Sequence, residues 1–204
     1  TVMMDIAAIA FSYFISLYFM LGITAYILAS RAYSYRGIRL KQYPVIGYLT
    51  VVLFQGCLTF FLVMHGSSTG KIIDVPFIGM LTAGLLIGGF YPLTQIYQHK
   101  QDAADGITSI SSMLGYKGTF IFTAIVYILA MCSLGFYLIS SLQQNNFLII
   151  QIFFIPILVY FLWWFKKVYA NTQAASFKNT MRMNMLASFF SNAAFITLLI
   201  LEKY

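Results

Sequence analysis

The chain of 204 residues has very little charge, since only 8% of its residues are Asp, Glu, Lys or Arg. A soluble domain carries about 25% charged residues, so this sequence lacks the side chains that would cover a water-facing surface. Hydrophobic residues make up 61% of the chain, and the mean hydropathy is +0.84, which excludes a disordered protein as well. The composition predicts an all-α integral membrane protein.

Cysteine and acidic residues are also scarce. The two cysteines, Cys57 and Cys132, lie inside apolar runs, which is typical of small buried residues and not of a disulfide or a metal pair. Five acidic residues stand against 12 basic ones, for a net charge of +7. In a soluble protein this balance would suggest nucleic acid, but in a membrane chain it indicates cytoplasmic loops and no nucleic-acid partner.

Six apolar runs are long enough to cross a bilayer, because about 20 helical residues span its core of about 30 Å. They cover residues 3–29, 44–65, 73–98, 118–142, 146–169 and 182–202. Lipid offers no partners to free backbone groups, so helices are the expected form. We expect a single transmembrane helical domain over residues 1–204, in which closely spaced glycines such as Gly84, Gly88 and Gly89 serve helix packing.

The basic residues are divided unequally between the two ends of these spans. Ten lie in the loops that follow the first, third and fifth spans: Arg31, Arg36, Arg39, Lys41, Lys100, Lys117, Lys166, Lys167, Lys178 and Arg182. Only Lys71 and Lys203 lie on the other side. The positive-inside rule makes the first side cytoplasmic. Asp5 is then expected near a span end on the opposite side.

The loop after the third span is the best candidate for a binding or catalytic site. Five of its residues follow helical steps of three or four and are expected to share one face: Gly88, Tyr91, Gln95, Gln98 and Asp102. Asp102 and Asp105 offer the carboxylate oxygens that magnesium prefers, and magnesium stabilises a diphosphate leaving group. The plainer alternative is a solvated pair of aspartates that balances Lys100.

The first cytoplasmic loop, residues 30–44, is basic. Arginine binds diphosphate oxygens through two parallel hydrogen bonds and lysine adds a point charge. The plainer alternative is that the basic residues of this loop only set the orientation of the chain in the membrane, while the flanking tyrosines lie at the membrane interface. His65 and His99 are expected to be interface or loop residues and not metal ligands.

Two stretches resemble the UbiA-type intramembrane prenyltransferases. The family's second aspartate-rich motif is similar to the series Gln98, Asp102, Gly106, Ser109, Leu114 and Gly115. The family's basic loop between helices four and five is similar to the series Tyr35, Ile38, Arg39, Leu40, Lys41, Pro44 and Gly47. Residues 177–184 resemble a Bacteroidetes-like branch. The resemblance covers about two-thirds of a nine-helix bundle, helices four to nine, so a fragment lacking about three N-terminal helices is expected.

The resemblance implies a function and a site. A prenyl diphosphate would donate an isoprenyl group to an aromatic or lipid acceptor, with Mg²⁺ at Asp102 and Gln98. Arg36, Arg39 and Lys41 would bind the diphosphate, and the protein would reside in the bacterial inner membrane with its motif loops cytoplasmic.

The chain also departs from the family pattern. Gln98 stands where the family has an aspartate, and the first aspartate-rich motif is absent from this sequence. A non-catalytic, structural or lipid-binding subunit of a larger membrane complex is therefore the alternative. A small transporter is a further alternative, but the spans are nearly free of charge at their centres and no internal repeat is visible.

Overall fold

The computed structural model describes residues 2–202, which contain helices and no strand. The helices in chain order are α1 (Val2–Tyr13), α2 (Leu17–Ser34), α3 (Pro44–Val51), α4 (Thr59–Ser67), α5 (Phe77–Gln95), α6 (His99–Ala104), α7 (Ile110–Ser140), α8 (Gln144–Ala170) and α9 (Phe177–Leu201). A π-helical segment, Val52–Leu58, joins α3 to α4, and short 3₁₀ turns lie at Leu40–Gln42, Ile96–Gln98 and Thr172–Ala174. The prediction of an all-α fold is confirmed. Lys203, which the charge map used, lies outside the described residues.

Five helical stretches of the described chain are long and apolar enough to cross a membrane. They are Pro44–Ser67, Phe77–Ala104, Ile110–Ser140, Gln144–Ala170 and Phe177–Leu201. They correspond to the last five of the six predicted spans. Large apolar side chains are exposed along all of them, as expected of helices that face hydrocarbon and not water.

The first predicted span, residues 3–29, is wrong as a single helix. The chain turns back after Tyr13, and the Ser16 hydroxyl caps α2 by accepting the Phe19 N–H at 3.0 Å. Helix α1 then packs against α2 as a hairpin. Hydropathy does not reveal this turn, because Phe14 and Ile15 keep the run apolar across it.

The hairpin also corrects the predicted position of Asp5. Its carboxylate pairs with Arg31, whose Nε donates to it at 3.0 Å. Asp5 therefore lies at the same end of the bundle as Arg31 and not at the opposite end. Because α1 folds back on α2, the first residues of α1 lie beside the end of α2 and not at the opposite end of the bundle.

The buried core lies between α5, α7, α8 and α9. Phe120 of α7 is fully buried, and its ring centroid lies 5.0 Å from that of Trp164 in α8. The indole N–H of Trp164 donates to the Ala174 carbonyl at 2.8 Å. This bond ties α8 to the turn that precedes α9 and satisfies a polar group that burial would otherwise penalise.

Glycines permit a close crossing between the π-helical segment and α5. A Cβ atom added at Gly56 would lie 2.5 Å from the Cα of Gly84, and one added at Gly88 would lie 2.5 Å from the Tyr48 hydroxyl. A Cβ at Gly89 would instead meet its nearest atom at 3.5 Å, an ordinary contact. The packing role predicted for Gly84 and Gly88 is confirmed.

Two predictions about burial are wrong. His65 is not a loop or interface residue: it is only 1% exposed, with Nε2 2.6 Å from the Ser16 hydroxyl and Nδ1 2.8 Å from the Ile72 carbonyl. It therefore ties the start of α2 to the loop after α4. Cys132 was expected to be buried, but it is exposed, and both it and Cys57 are free thiols.

Candidate functional site

The basic loop between α2 and α3 is held tightly against the start of α3. A Cβ atom at Gly47 would lie 3.1 Å from the Leu40 carbonyl and 3.2 Å from the Lys41 Cα. The Arg39 backbone has a φ of 47°, in the left-handed region, and its N–H donates to the Tyr35 carbonyl at 2.6 Å. This compact turn leaves Arg39 and Lys41 half-buried.

The helical stretch from Phe77 to Ala104 contains a 3₁₀ turn, which changes the spacing of the predicted face at Gln98. Helix α5 ends at Gln95, and a 3₁₀ turn over Ile96–Gln98 precedes α6. The Gln95 Nε2 donates to the Tyr91 hydroxyl at 2.8 Å, as neighbours on one helix face do. The Gln98 Nε2 instead donates to the hydroxyl of Tyr97, also at 2.8 Å.

Gly106 determines where α6 ends. It has a φ of +66°, a conformation that glycine adopts without steric cost. Its N–H donates to the Ala103 carbonyl at 3.2 Å, and the N–H of the buried Ile107 donates to the Asp102 carbonyl at 2.8 Å. These two bonds form a Schellman motif, which stops the helix one turn after Asp102.

The remaining polar residues of this segment join α6 to α7. The Ser109 hydroxyl caps α7 by accepting the Ser112 N–H at 3.2 Å. The half-buried His99 places Nε2 2.8 Å from the Ser111 hydroxyl, which in turn lies 3.0 Å from the Thr119 hydroxyl. This chain of bonds gives His99 a positioning role, because it fixes the start of α6 against α7.

The fold brings the basic loop and the acidic loop together. Asp102, which is half-buried, lies within electrostatic range of Lys41. Asp105 is exposed and is also within electrostatic range of Asp102. Arg36 is exposed. Within residues 2–202 the ion pair formed is that of Arg31 with Asp5, so Arg36, Arg39 and Lys41 of the basic loop remain available to an anionic ligand.

A tyrosine pair lies beside this charged cluster. The hydroxyl groups of Tyr33 and Tyr91 form a hydrogen bond, and both tyrosines lie within electrostatic range of Asp102. Gln95 already donates to Tyr91, and one tyrosine donates to the other. The cluster therefore keeps one hydroxyl proton free to donate, while the buried Gln95 Oε1 has no partner within residues 2–202.

A cavity of about 90 Å³ adjoins the tyrosine pair. Helices α2, α3 and α5 and the π-helical segment line it, through residues that include Tyr26, Tyr33, Thr50, Gln55 and Tyr91. Sequence reasoning singled out Tyr91 but missed Tyr33 and Gln55. The available signal was Gln55 itself, an amide near the middle of the span Pro44–Ser67, where a polar group is costly in hydrocarbon.

The acidic loop supplies hard oxygen donors for a cation. Asp102 offers a carboxylate and Gln98 an amide oxygen, and the described residues contain no cluster of three or more His, Cys, Asp or Glu side chains that would hold a metal. Magnesium commonly takes one or two carboxylates and completes its shell with water and substrate phosphates. The donor set therefore fits part of a magnesium–diphosphate site and not a closed protein cage.

These features define a polytopic helical membrane protein with a cationic loop beside a carboxylate at one end of the bundle. The family model of the UbiA prenyltransferase family matches residues 1–187, so the chain belongs to that family, and the resemblance drawn from its motifs is confirmed. No curated protein and no solved structure matches the chain.

Proposed function

We propose that this protein transfers an isoprenyl group from a prenyl diphosphate to an aromatic or lipid acceptor in a magnesium-dependent reaction. The observation that carries the proposal is the charged cluster beside the hydrogen bond that joins Tyr33 of α2 to Tyr91 of α5, where Lys41 lies within electrostatic range of Asp102 in α6. A cation and a half-buried carboxylate from distant parts of the chain form a place where a diphosphate and its counter-ion bind together.

The cationic loop would bind the diphosphate. Lys41 supplies a point charge, while Arg36 and Arg39 supply planar groups that match phosphate oxygens. When the bond between the isoprenyl carbon and the diphosphate oxygen breaks, the electron pair stays on that oxygen, and preorganised cations stabilise the charge. Asp102 and Gln98 would hold Mg²⁺, which when bound supplies further positive charge to the leaving group.

The aromatic side chains of Tyr26, Tyr33, Phe54 and Tyr91 line the cavity beside the charged cluster. Its volume of about 90 Å³ would hold only the reacting end of the isoprenyl group, whose carbocation these side chains would shield from water. The free hydroxyl proton of the Tyr33–Tyr91 pair suits an acceptor that carries an oxygen. An aromatic carbon or a lipid hydroxyl oxygen of the acceptor would form the new bond to the isoprenyl carbon, and the proton that this atom loses would pass to the released diphosphate.

The test is Asp102→Asn in the full-length protein, assayed for magnesium-dependent prenyl transfer. We expect kcat to fall by about 100-fold or more, the magnitude seen when one preorganised electrostatic group is lost. Asp105→Asn is the matched control, since it removes the same charge three residues along from an exposed position, and it should stay within about twofold. Unchanged transfer in Asp102→Asn would remove the proposed metal site.

A non-catalytic relative that acts as a structural or lipid-binding subunit is the second candidate. It is favoured by Gln98, which stands in place of a carboxylate and whose amide donates to Tyr97. Calorimetric titration with a prenyl diphosphate and Mg²⁺ separates the two candidates. Binding without turnover in the full-length protein would favour the subunit, whereas turnover would exclude it.

A further inference from the structure

We propose that the surface formed by Tyr160, Trp163 and Lys167 of α8 with Asn179 and Arg182 of α9, called here the α8–α9 groove, binds the headgroup of an anionic phospholipid. It lies at the end of the bundle that carries the basic loop. This site is separate from the acidic loop and does not depend on prenyl transfer. Four observations carry it: the local charge, the aromatic side chains beside the cations, the contact between the two helices, and the apolar stripes that continue from the cations.

The second half of the chain contains no acidic residue between positions 106 and 201. It does contain five cations, all exposed: Lys117, Lys166, Lys167, Lys178 and Arg182. Within residues 2–202 none of them forms an ion pair with a carboxylate. The positive charge at this end of α7, α8 and α9 is therefore not neutralised by carboxylates of residues 2–202.

Two of the cations meet aromatic side chains at the α8–α9 groove. The Lys167 ammonium lies 4.1 Å from the Trp163 ring centroid. Arg182 lies one turn of α9 after Asn179, whose carbonyl accepts the hydrogen bond of the Tyr160 hydroxyl. The rings of Tyr160 and Trp163 are 5.2 Å apart, and the Tyr160 hydroxyl donates to the Asn179 carbonyl at 3.3 Å. Cations of two helices are thus gathered beside tryptophan and tyrosine, the residues that mark the headgroup level of a bilayer.

Apolar stripes run from these cations toward the middle of the membrane. On α9, Met185 and Phe189 follow Arg182 at helical spacing and are 71% and 68% exposed. On α8, Val159 precedes Trp163 by one turn and is 61% exposed. Cations above two exposed apolar stripes match a phospholipid, with its phosphate between the cations and its acyl chains along the helices.

An anionic phospholipid fits this surface better than a soluble phosphate does. A soluble anion would use the cations alone and leave the apolar stripes without a function. Basic sites between transmembrane helices on the cytoplasmic side are typical of anionic headgroup binding. A zwitterionic lipid would gain little, because its own ammonium group opposes Lys167 and Arg182.

The test measures phospholipid binding to the purified full-length protein in detergent. Phosphatidylglycerol, phosphatidylcholine and inorganic phosphate are titrated separately, and bound lipid is counted by native mass spectrometry. The variant is the pair Lys167→Gln and Arg182→Gln. The matched control is the pair Lys166→Gln and Lys100→Gln, which removes the same charge from the same end of the bundle but outside the groove.

Phosphatidylglycerol should bind the parent protein, and each groove charge removed should weaken that binding about fivefold. The control pair should stay close to the parent. Equal weakening by both pairs, equal binding of phosphatidylcholine, or full competition by inorganic phosphate would each overturn the proposal. Replacement of Lys167 by Arg and of Arg182 by Lys should retain binding, which separates loss of charge from misfolding. Because the readout is bound lipid, Asp102→Asn should leave it unchanged whether or not prenyl transfer occurs.

Discussion

At the scale of single residues, the acidic loop shows why a motif position needs its residue type. Gly106 adopts a left-handed conformation, and the hydrogen bond from the Ile107 N–H to the Asp102 carbonyl depends on it. The glycine therefore orients the carboxylate-bearing turn without touching any ligand itself. Gly70 provides a comparison, because it is exposed and nothing lies within 4 Å of an added Cβ atom.

Gly106→Ala should lower the free energy of unfolding by about 1 kcal/mol, because a Cβ atom strains the left-handed conformation. Gly70→Ala should have little effect, since its conformation is not left-handed. Thermal unfolding of both variants in the same detergent would measure the difference. Equal melting temperatures for the two variants would contradict the structural role given to Gly106.

The sequence predicted residue types for a candidate site, but it did not predict which side chains surround each buried polar group. Asp102 and Lys41 were expected in one site from their motifs, and the structure places them within electrostatic range. His65 was misplaced because its partners, Ser16 and Ile72, come from two other segments. Long-range partners of this kind do not follow from local hydropathy.

At the scale of elements, the crossing of the π-helical segment and α5 is the closest helix contact described above. The backbone of Gly56 meets that of Gly84, where an added Cβ atom on Gly56 would lie 2.5 Å from the Gly84 Cα. A side chain added at Gly56 would meet backbone atoms of α5, which cannot rotate away as a flexible side chain could. Gly89 lies on the same helix as Gly84, but its Cβ position is open enough for an ordinary contact.

Gly56→Ala should destabilise the protein by about 1–3 kcal/mol, the usual cost of overpacking. Gly89→Ala should be neutral or slightly stabilising, because alanine is the better helix former. Chemical unfolding followed by tryptophan fluorescence would report both, since Trp164 lies in the core. A Gly89→Ala variant as unstable as Gly56→Ala would contradict this account of the crossing.

Element boundaries were predictable where a local signal marks them. Pro44 lies in the first turn of α3, as expected of a proline near a span start. The hairpin of α1 and α2 was not predictable, because no glycine or proline marks the turn between Tyr13 and Leu17. The π-helical segment, which packs against α5, also has no compositional signature.

At the scale of the whole molecule, the arrangement of charge predicts which side of the membrane each end of the bundle faces. The loop after α8 and the basic loop after α2 lie at one end, and the loop between α4 and α5 lies at the other. Gln173 and Gly70 are exposed in these opposite loops. The positive-inside rule predicts that the first end faces the cytoplasm.

A cysteine at Gln173 should react with a membrane-impermeant maleimide only in inverted vesicles, and one at Gly70 only in intact cells. Both variants require Cys57→Ser and Cys132→Ser, because these free thiols would add background. Labelling of both positions from the same side would contradict the assigned orientation. Reversal of both patterns would show that the positive-inside rule fails for this chain.

The π-helical segment has a consequence for how this family member tolerates changes in length. A π-helix holds one residue more per hydrogen-bonded turn than an α-helix does. Loss of one residue within Val52–Leu58 would convert that stretch to ordinary α-helix and leave α3 and α4 in their relative rotation. The same deletion within α3 would turn every later side chain of the span by about 100°, and His65 would face away from Ser16. The π-helical segment is therefore the part of this span where the deletion of one residue should disturb the later side chains least.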